Sequence, residues 1–262
     1  MVTRKSRREI EKMRVAGRIV AEVLALMEEH LAPGISPADL DRIAERHIRA
    51  AGGIPSFLNY LGGRQYDPRD PHAYPASTCI SIDDEIVHGI PGDREVRAGQ
   101  LVSVDVGVIY DGWHGDGART FICGGEAAAT PEAAALVQTT RLALMAGVKA
   151  ARAGCRLGDI SAAVEDVART GPYGIIRQYV GHGIGTSMHE DPNVPNFRTR
   201  SPGIELAPGH CFAIEPMLTL GTEDTEVLDD GWTIVTADGS LAAHFEHTIA
   251  VTDQGPEILT RV

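Results

Sequence analysis

A pseudo-twofold domain built of two α/β halves, helices outside and strands inside, is the fold that three observations predict. A pair of helical patterns opens the chain and returns after residue 130, short glycine-anchored motifs recur in the same order, and strand-like alternating stretches lie between them. The halves run from about 6 to 125 and from about 126 to 255, within one domain spanning 1–262.

Ser6 is a helix N-cap, and Ile10, Met13, Val20, Val23, Met27 and Leu31 follow near helical spacing until Pro33-Gly34 stops the run. Ser36-Pro37 starts a second helix through Leu40, Ile43 and His47 to Gly52-Gly53, because proline is preorganised for the first helical position. After Thr130-Pro131 the scheme repeats: a long Ala/Leu-rich helix to about Arg152, a break at Gly154, then a helix containing Asp159, Ile160 and Val164. Three ordered anchors join the halves. Gly34 to Asp39-Leu40 matches Gly154 to Asp159-Ile160, His88-Gly89-Ile90 matches His182-Gly183-Ile184, and Gly99 to Val104-Asp105 matches Gly209 to Ile214-Glu215.

Between the helical parts, Val102, Val104, Val106 and Val108 alternate with Ser103, Asp105 and Gly107, so Asp105 points away from the valine face. Asp111-Gly112 is a two-residue hairpin signal that pairs Tyr110 with Trp113. Counting back pairs Gly107 with Asp116, which sets Asp116 diagonal to Asp105 on one face, within the roughly 7–8 Å of diagonal neighbours. Later, Phe212, Ile214 and Leu218 alternate with Ala213 and Glu215, while Phe245, Ile249 and Val251 alternate with Glu246 and Thr248. Each acid is therefore alone on the small or polar face of an apolar strand.

Five groups of metal-binding type stand far apart in the chain: Asp105, Asp116, His182, Glu215 and Glu246. Four carboxylates cannot all stay ionised at close range without cations, and two divalent metal ions would compensate them. Spacing alone does not bring four strands together, so the bottom-up argument ends at the constellation.

Composition narrows the classes of function. The net charge of -12 argues against a general nucleic-acid binder, which needs clustered Lys and Arg. One basic stretch, Arg4, Lys5, Arg7, Arg8, Lys12 and Arg14, is expected to be a solvated helix start. Nothing in the sequence approaches the ~18 apolar residues of a membrane span, and Glu9, Glu11 and Glu22 interrupt any signal-peptide pattern. A cytoplasmic location is the expectation. Cys79, Cys123, Cys155 and Cys211 lack pairing motifs and are expected to be reduced thiols.

Longer motifs point to a family. They are His72-Ala73-Tyr74-Pro75 through Cys79-Ile80-Ser81, Val87-His88-Gly89-Ile90-Pro91, Val104-Asp105-Val106 with Trp113-His114-Gly115-Asp116, and Gly181-His182-Gly183-Ile184-Gly185 with Met188-His189-Glu190. Ile214-Glu215-Pro216, Asp230-Gly231-Trp232-Thr233 and Phe245-Glu246-His247-Thr248 complete the set. In these motifs, from about Ser6 to Gly255, the sequence resembles the type I methionine aminopeptidases of bacteria, without an N-terminal extension.

The resemblance implies an α+β pita-bread fold with a curved antiparallel sheet inside, and removal of the N-terminal initiator methionine ahead of small second residues. It implies that Asp105 chelates one metal, that Asp116 and Glu246 bridge two, and that His182 and Glu215 hold the other. Oxygen-rich ligation with one imidazole suits Co, Mn or Fe, with Zn a further candidate. His88 and His189 contact substrate near the scissile bond, Glu215 moves a proton, and Tyr74, Cys79, Met188 and Trp232 build the methionine pocket. The implied partners are N-termini of peptides and nascent proteins, with neither a specific nucleic acid nor a membrane, and with the chain a monomer; contact with the ribosome stays open. Two positions depart from the pattern. Asp83-Asp84 replaces Asn-Glu after Ile-Ser-Ile, and His244 replaces a glutamine two positions before Glu246.

Two other functions fit parts of the sequence. A proline-directed pita-bread peptidase such as a prolidase shares the metal set but carries a large extra N-terminal domain. Non-catalytic pita-bread binding modules have lost ligands that are intact here. His30, His47, His72, His114, His210, His244 and His247 are expected to be surface or supporting groups rather than ligands.

Overall fold

The computed structural model describes residues 2–62, 70 and 72–261. Helix α1 spans Arg7–His30, and Ser6 caps it as expected: its Oγ accepts from Glu9 N, while Glu9 Oε2 accepts from Ser6 N at 2.6 Å. Helix α2 spans Pro37–Ala50, with Ser36 as N-cap and Pro37 at its start. In the second half α3 covers Pro131–Ala150 and α4 covers Leu157–Ala168. Gly34 and Gly154, which precede α2 and α4, both hold positive φ, at 96° and 86°. Gly99 and Gly209 do the same before their strands, at 86° and 96°.

The strands Leu101–Tyr110 and Trp113–Ile122 form the expected hairpin, with Tyr110 opposite Trp113 and Gly107 opposite Asp116. Both turn residues lie in the left-handed region, Asp111 at φ 48° and Gly112 at φ 79°, which is why a glycine follows the aspartate there. Val102, Val104, Val106 and Val108 are fully buried beneath Val20, Val23, Met27, Leu40 and Ile48 of α1 and α2. Each buried valine contributes roughly 1.5–3 kcal/mol, enough to fix which face of the hairpin meets the helices and which faces inward. Along the edge of Leu101–Tyr110, Cys79–Ile82 joins the same sheet, with Cys79 opposite Asp105.

Helices α3 and α4 cover a five-stranded antiparallel sheet, ordered Gly255–Ile258, His247–Thr252, Cys211–Ile214, Gly181–Gly183 and Glu190–Val194. A three-stranded sheet places Met217–Thr219 between Ala242–His244 and Gly174–Ile175. Another runs Thr225–Val227, Ile234–Thr236, Glu85–Val87.

The two later carboxylate strands are not continuous, unlike the sequence expectation. Cys211–Ile214 ends before Glu215-Pro216, and Met217–Thr219 resumes in the other sheet. Pro216 has no N–H to give a ladder, so pairing must break there. Opposite it, Ala242–His244 and His247–Thr252 are interrupted at Phe245-Glu246. His247 pairs with Ile214, and Met217 with His244, so the two breaks face each other. Glu246 then turns to the hairpin: its N–H donates to Ala118 O at 2.8 Å.

The basic N-terminal stretch is mostly engaged within the molecule. Lys5 is buried and pairs with Glu190 at 2.7 Å, Arg4 Nε donates to Pro208 O, Lys12 pairs with Asp111, and Arg14 pairs with Glu257 and Glu11. Arg7 and Arg8 are exposed. All four cysteines are free thiols. Among the described residues no helix is long and apolar enough to cross a membrane.

Candidate metal centre

Asp105, Asp116, His182, Glu215 and Glu246 line one cavity, together with Phe57, Tyr60, Tyr74, Cys79, His88, His189 and Trp232. The hairpin register delivers Asp105 and Asp116 on one face; the paired strand breaks deliver Glu215 and Glu246 from the opposite side. His182 enters from the neighbouring strand, with its Cα opposite Ala213. Backbone contacts hold the floor still. Thr248 Oγ1 accepts from Asp116 N and donates to Asp116 O, at 2.9 and 2.8 Å.

Ligand atoms of Asp116, His182 and Glu246 all lie within 4.8 Å of one another. His182 Nε2 is 3.7 Å from Asp116 Oδ2 and 3.5 Å from Glu215 Oε1. Its Nδ1 lies 2.9 Å from Gly183 O. A carbonyl only accepts, so Nδ1 carries the proton and Nε2 presents a lone pair to the carboxylates. Asp105 Oδ1, Asp116 Oδ1 and Glu246 Oε1 are buried without a hydrogen-bond partner.

Electrostatics agree with the geometry. Burial pushes the Asp105 carboxyl up to about 7. Burial, then the charges of Asp105 and Glu215, push Asp116 well up; burial and Asp105 do so for Glu215. Glu246 is raised by burial and by Asp116, Glu215 and Asp105. His182 is pushed down to about 3 by burial and by His189. Orphaned oxygens, mutual repulsion and an imidazole lone pair at one point are the donor set a divalent cation satisfies, since positive charge reverses each of these penalties. The residues therefore fit a metal centre.

Above the carboxylates the cavity turns aromatic. Tyr74 and Trp232 meet edge to face at 5.2 Å between centroids, and Phe57 meets Tyr74 at 6.5 Å. Trp232 is held by Asp230, which accepts from Trp232 N and Thr233 N, and by its own Nε1 donating to His72 O at 3.1 Å. Cys79 is buried against this wall. His88 lines the cavity at φ 60° and stacks edge-on against Tyr179 and Trp232. His189 stands at the exposed rim, its ring 4.2 Å from that of His182.

Met188 sits differently from the other pocket residues. It packs beneath Gly107, where a β-carbon would meet its Cε at 2.8 Å, and lines the adjoining cleft with Ser56, Tyr60 and His114. Sequence reasoning missed Phe57 and Tyr60. Tyr60 Oη lies 2.6 Å from His189 Nδ1. Two aromatics in one short loop of a chain that is 5% aromatic were the available signal, because loop aromatics have few core roles. The seven remaining histidines stay outside the cavity lining; His114 is pinned by Ser56 Oγ at 3.0 Å, and His244 is fully buried.

Comparison with known proteins gives a consistent answer. The profile of metallopeptidase family M24 matches residues 11–253. Methionine aminopeptidase 1 of Mycobacterium tuberculosis (strain CDC 1551 / Oshkosh) is 49% identical over 267 residues, covering 99% of this chain and 95% of that protein. The methionine aminopeptidase of Clostridium acetobutylicum is 46% identical, covering 99% of both chains. The crystal structure of methionine aminopeptidase from Rickettsia prowazekii superposes with a TM-score of 0.91 at 37% identity, over 99% of this chain and 100% of that one. The antiparallel sheets wrapped by helices α1 to α4 are thus the pita-bread fold. The chain belongs to metallopeptidase family M24, among its methionine aminopeptidases.

Proposed function

We propose that this protein is a dinuclear metal-dependent aminopeptidase that removes the initiator methionine from nascent proteins and peptides with small second residues. The observation that carries the reading is the set of four crowded carboxylates and the His182 lone pair at the base of an aromatic pocket. Asp105, Asp116, His182, Glu215 and Glu246 would hold the two ions between them. Mn, Fe or Co suits this donor set, with Zn the remaining alternative. Bound there, two divalent ions supply the charge that makes water nucleophilic near neutral pH and polarises the scissile carbonyl.

The chain's own residues do the rest. Phe57, Tyr74, Cys79 and Trp232 exclude water and take up the methionine side chain, whose thioether packs well on aromatic edges. Met188 supports that wall from behind Phe57 and Gly107. At the rim, His189 donates Nε2–H to the carbonyl oxygen as charge develops on it. His88 faces the scissile peptide, and Glu215 carries a proton on its carboxylate to the leaving amine. Crowding by Tyr60 and His189 favours small side chains after the methionine.

We read residues 1–262 as a single catalytic domain of two related halves, acting as a cytoplasmic monomer on peptide and nascent-chain N-termini. Contact with the ribosome would fall to Arg7 and Arg8, the exposed arginines that open α1. The test is hydrolysis of Met-Ala-Ser and of X-Pro peptides by Mn- or Co-loaded protein, with metal content measured alongside. Release of methionine from the first alone, abolished together with metal loading in Glu246→Ala, is the expected result. Cleavage of X-Pro peptides would replace this reading with a proline-directed one, and no cleavage of either would leave a binding module.

A further inference from the structure

His244 is a buried titratable group that the proposed chemistry leaves unused. It is 1% exposed, its Nε2 has no hydrogen-bond partner, and it does not line the cavity. Unpartnered buried nitrogens are uncommon and need a reason. Its nearest charged neighbour is Glu215, with His244 Nε2 3.9 Å from Glu215 Oε2. The other oxygen, Oε1, faces His182 Nε2 at 3.5 Å. His182 has no proton to offer on that nitrogen, because its Nδ1–H is committed to Gly183 O.

Two imidazoles therefore bracket one carboxylate with opposite polarity. One offers a lone pair beside Oε1, so that Oε1 and His182 Nε2 would both face a bound cation. The other stands behind the carboxylate, outside the cavity, where a hydrogen-bond donor would act on Oε2. Asn196 Nδ2 reaches the Glu215 backbone carbonyl at 3.0 Å, not its side chain. His244 Nε2 is thus a donor at hand for Oε2.

We propose that His244 is a positioning residue for Glu215: its Nε2–H donates to Glu215 Oε2 when the carboxylate binds metal, fixing the rotamer that presents Oε1 to the ion. The inference rests on the metal-centre reading above. At 3.9 Å the contact is longer than a hydrogen bond, and a small rotation of either side chain closes it once Oε1 is drawn to a cation. A ligating carboxylate held in this way binds its metal more tightly, and loss of such an outer contact typically lowers affinity by ~10- to 100-fold. The glutamine that the resembling family carries at this position can also donate, through its amide.

The experiment is calorimetric titration of metal-free protein with Mn(II), on wild type, His244→Leu and His244→Gln, with thermal melting of each metal-free protein. His244→Leu is expected to bind Mn(II) ~10- to 100-fold more weakly, while its metal-free melting temperature stays level or rises, because a buried unpartnered nitrogen has been removed. His244→Gln is expected to bind close to wild type. A merely structural histidine would move melting and binding in the same direction. Unchanged Mn(II) affinity in a folded His244→Leu protein overturns the proposal, as does a His244→Gln affinity as weak as that of His244→Leu. Wild-type protein that binds no divalent metal at all overturns instead the metal-centre reading itself.

Discussion

Tyr60→Phe isolates one hydrogen bond. The phenol oxygen lies 2.6 Å from His189 Nδ1, and burial, with Asp116 nearby, pushes the Tyr60 hydroxyl above its ordinary range, so it stays protonated; the Nε2–H role proposed for His189 requires Nδ1 to accept, and the phenol then donates. Donation to Nδ1 leaves the His189 proton on Nε2, aimed where the carbonyl oxygen of a substrate would lie. Phenylalanine keeps the ring that tilts against His189 at 5.6 Å but frees the imidazole to rotate and change tautomer. A neutral hydrogen bond is worth a net ~0.5–1.5 kcal/mol. At ~1.4 kcal/mol per factor of ten, that is a fall in kcat of roughly 2- to 12-fold. The assay is steady-state hydrolysis of Met-Ala-Ser by Mn-loaded protein at saturating and limiting substrate. A variant with unchanged kcat and raised KM would mean that Tyr60 is only a wall of the pocket, refuting the tautomer argument.

His189→Ala removes the whole donor and is expected to cost ~10²–10³ in kcat with metal content unchanged; parallel loss of metal would make His189 a ligand. Gly17→Ala should destabilise the fold although alanine favours a helix by ~1 kcal/mol. Its β-carbon would collide with the Leu259 carbonyl, which is held in place by Leu259 N donating to Thr248 O, and overpacking of this kind costs ~1–3 kcal/mol. A raised urea midpoint would contradict it. Lys5→Met leaves Glu190 without its cation. Burial alone would raise the Glu190 carboxyl, but the hydrogen bond and charge of Lys5, with hydrogen bonds from Ser187 N and Thr3 Oγ1, together hold it below the usual range. A depressed folded value means stability present above the unfolded carboxyl range of about 4.3 and lost as pH falls through the folded value. The urea midpoints of wild type and Lys5→Met should therefore differ at pH 7 and converge in acid; a constant gap would show that packing, not charge, is what Lys5 supplies.

The hairpin was readable to the residue because its register depends on local facts alone: an Asp111-Gly112 turn that tolerates positive φ, and a valine face that must be buried. The helix starts at Ser6, Ser36 and Thr130 were readable for the same reason, since a cap and its first turn lie within four residues. Glu215 and Glu246 were identifiable as ligand candidates, but the interruption of their strands was not. That break needs Pro216 and the opposed Phe245-Glu246 segment together, and no window of one strand contains both. Tyr60 and His189 are 129 residues apart, Lys5 and Glu190 185. Neither pairing leaves a periodic trace, and the apparently free cationic start of the chain proved to be tied down by such distant acids.

Where Glu215 and Glu246 stand, two adjacent antiparallel strands leave one sheet for another at the same level. Ions held between these acids and the hairpin's Asp105 and Asp116 would act as rivets through the seam where the sheets abut. Sliding one layer against its neighbour would then spread the ligands apart. Loading such a centre should accordingly toughen the whole body against heat, and a loosened joint far from the substrate should show first as poor retention of cations.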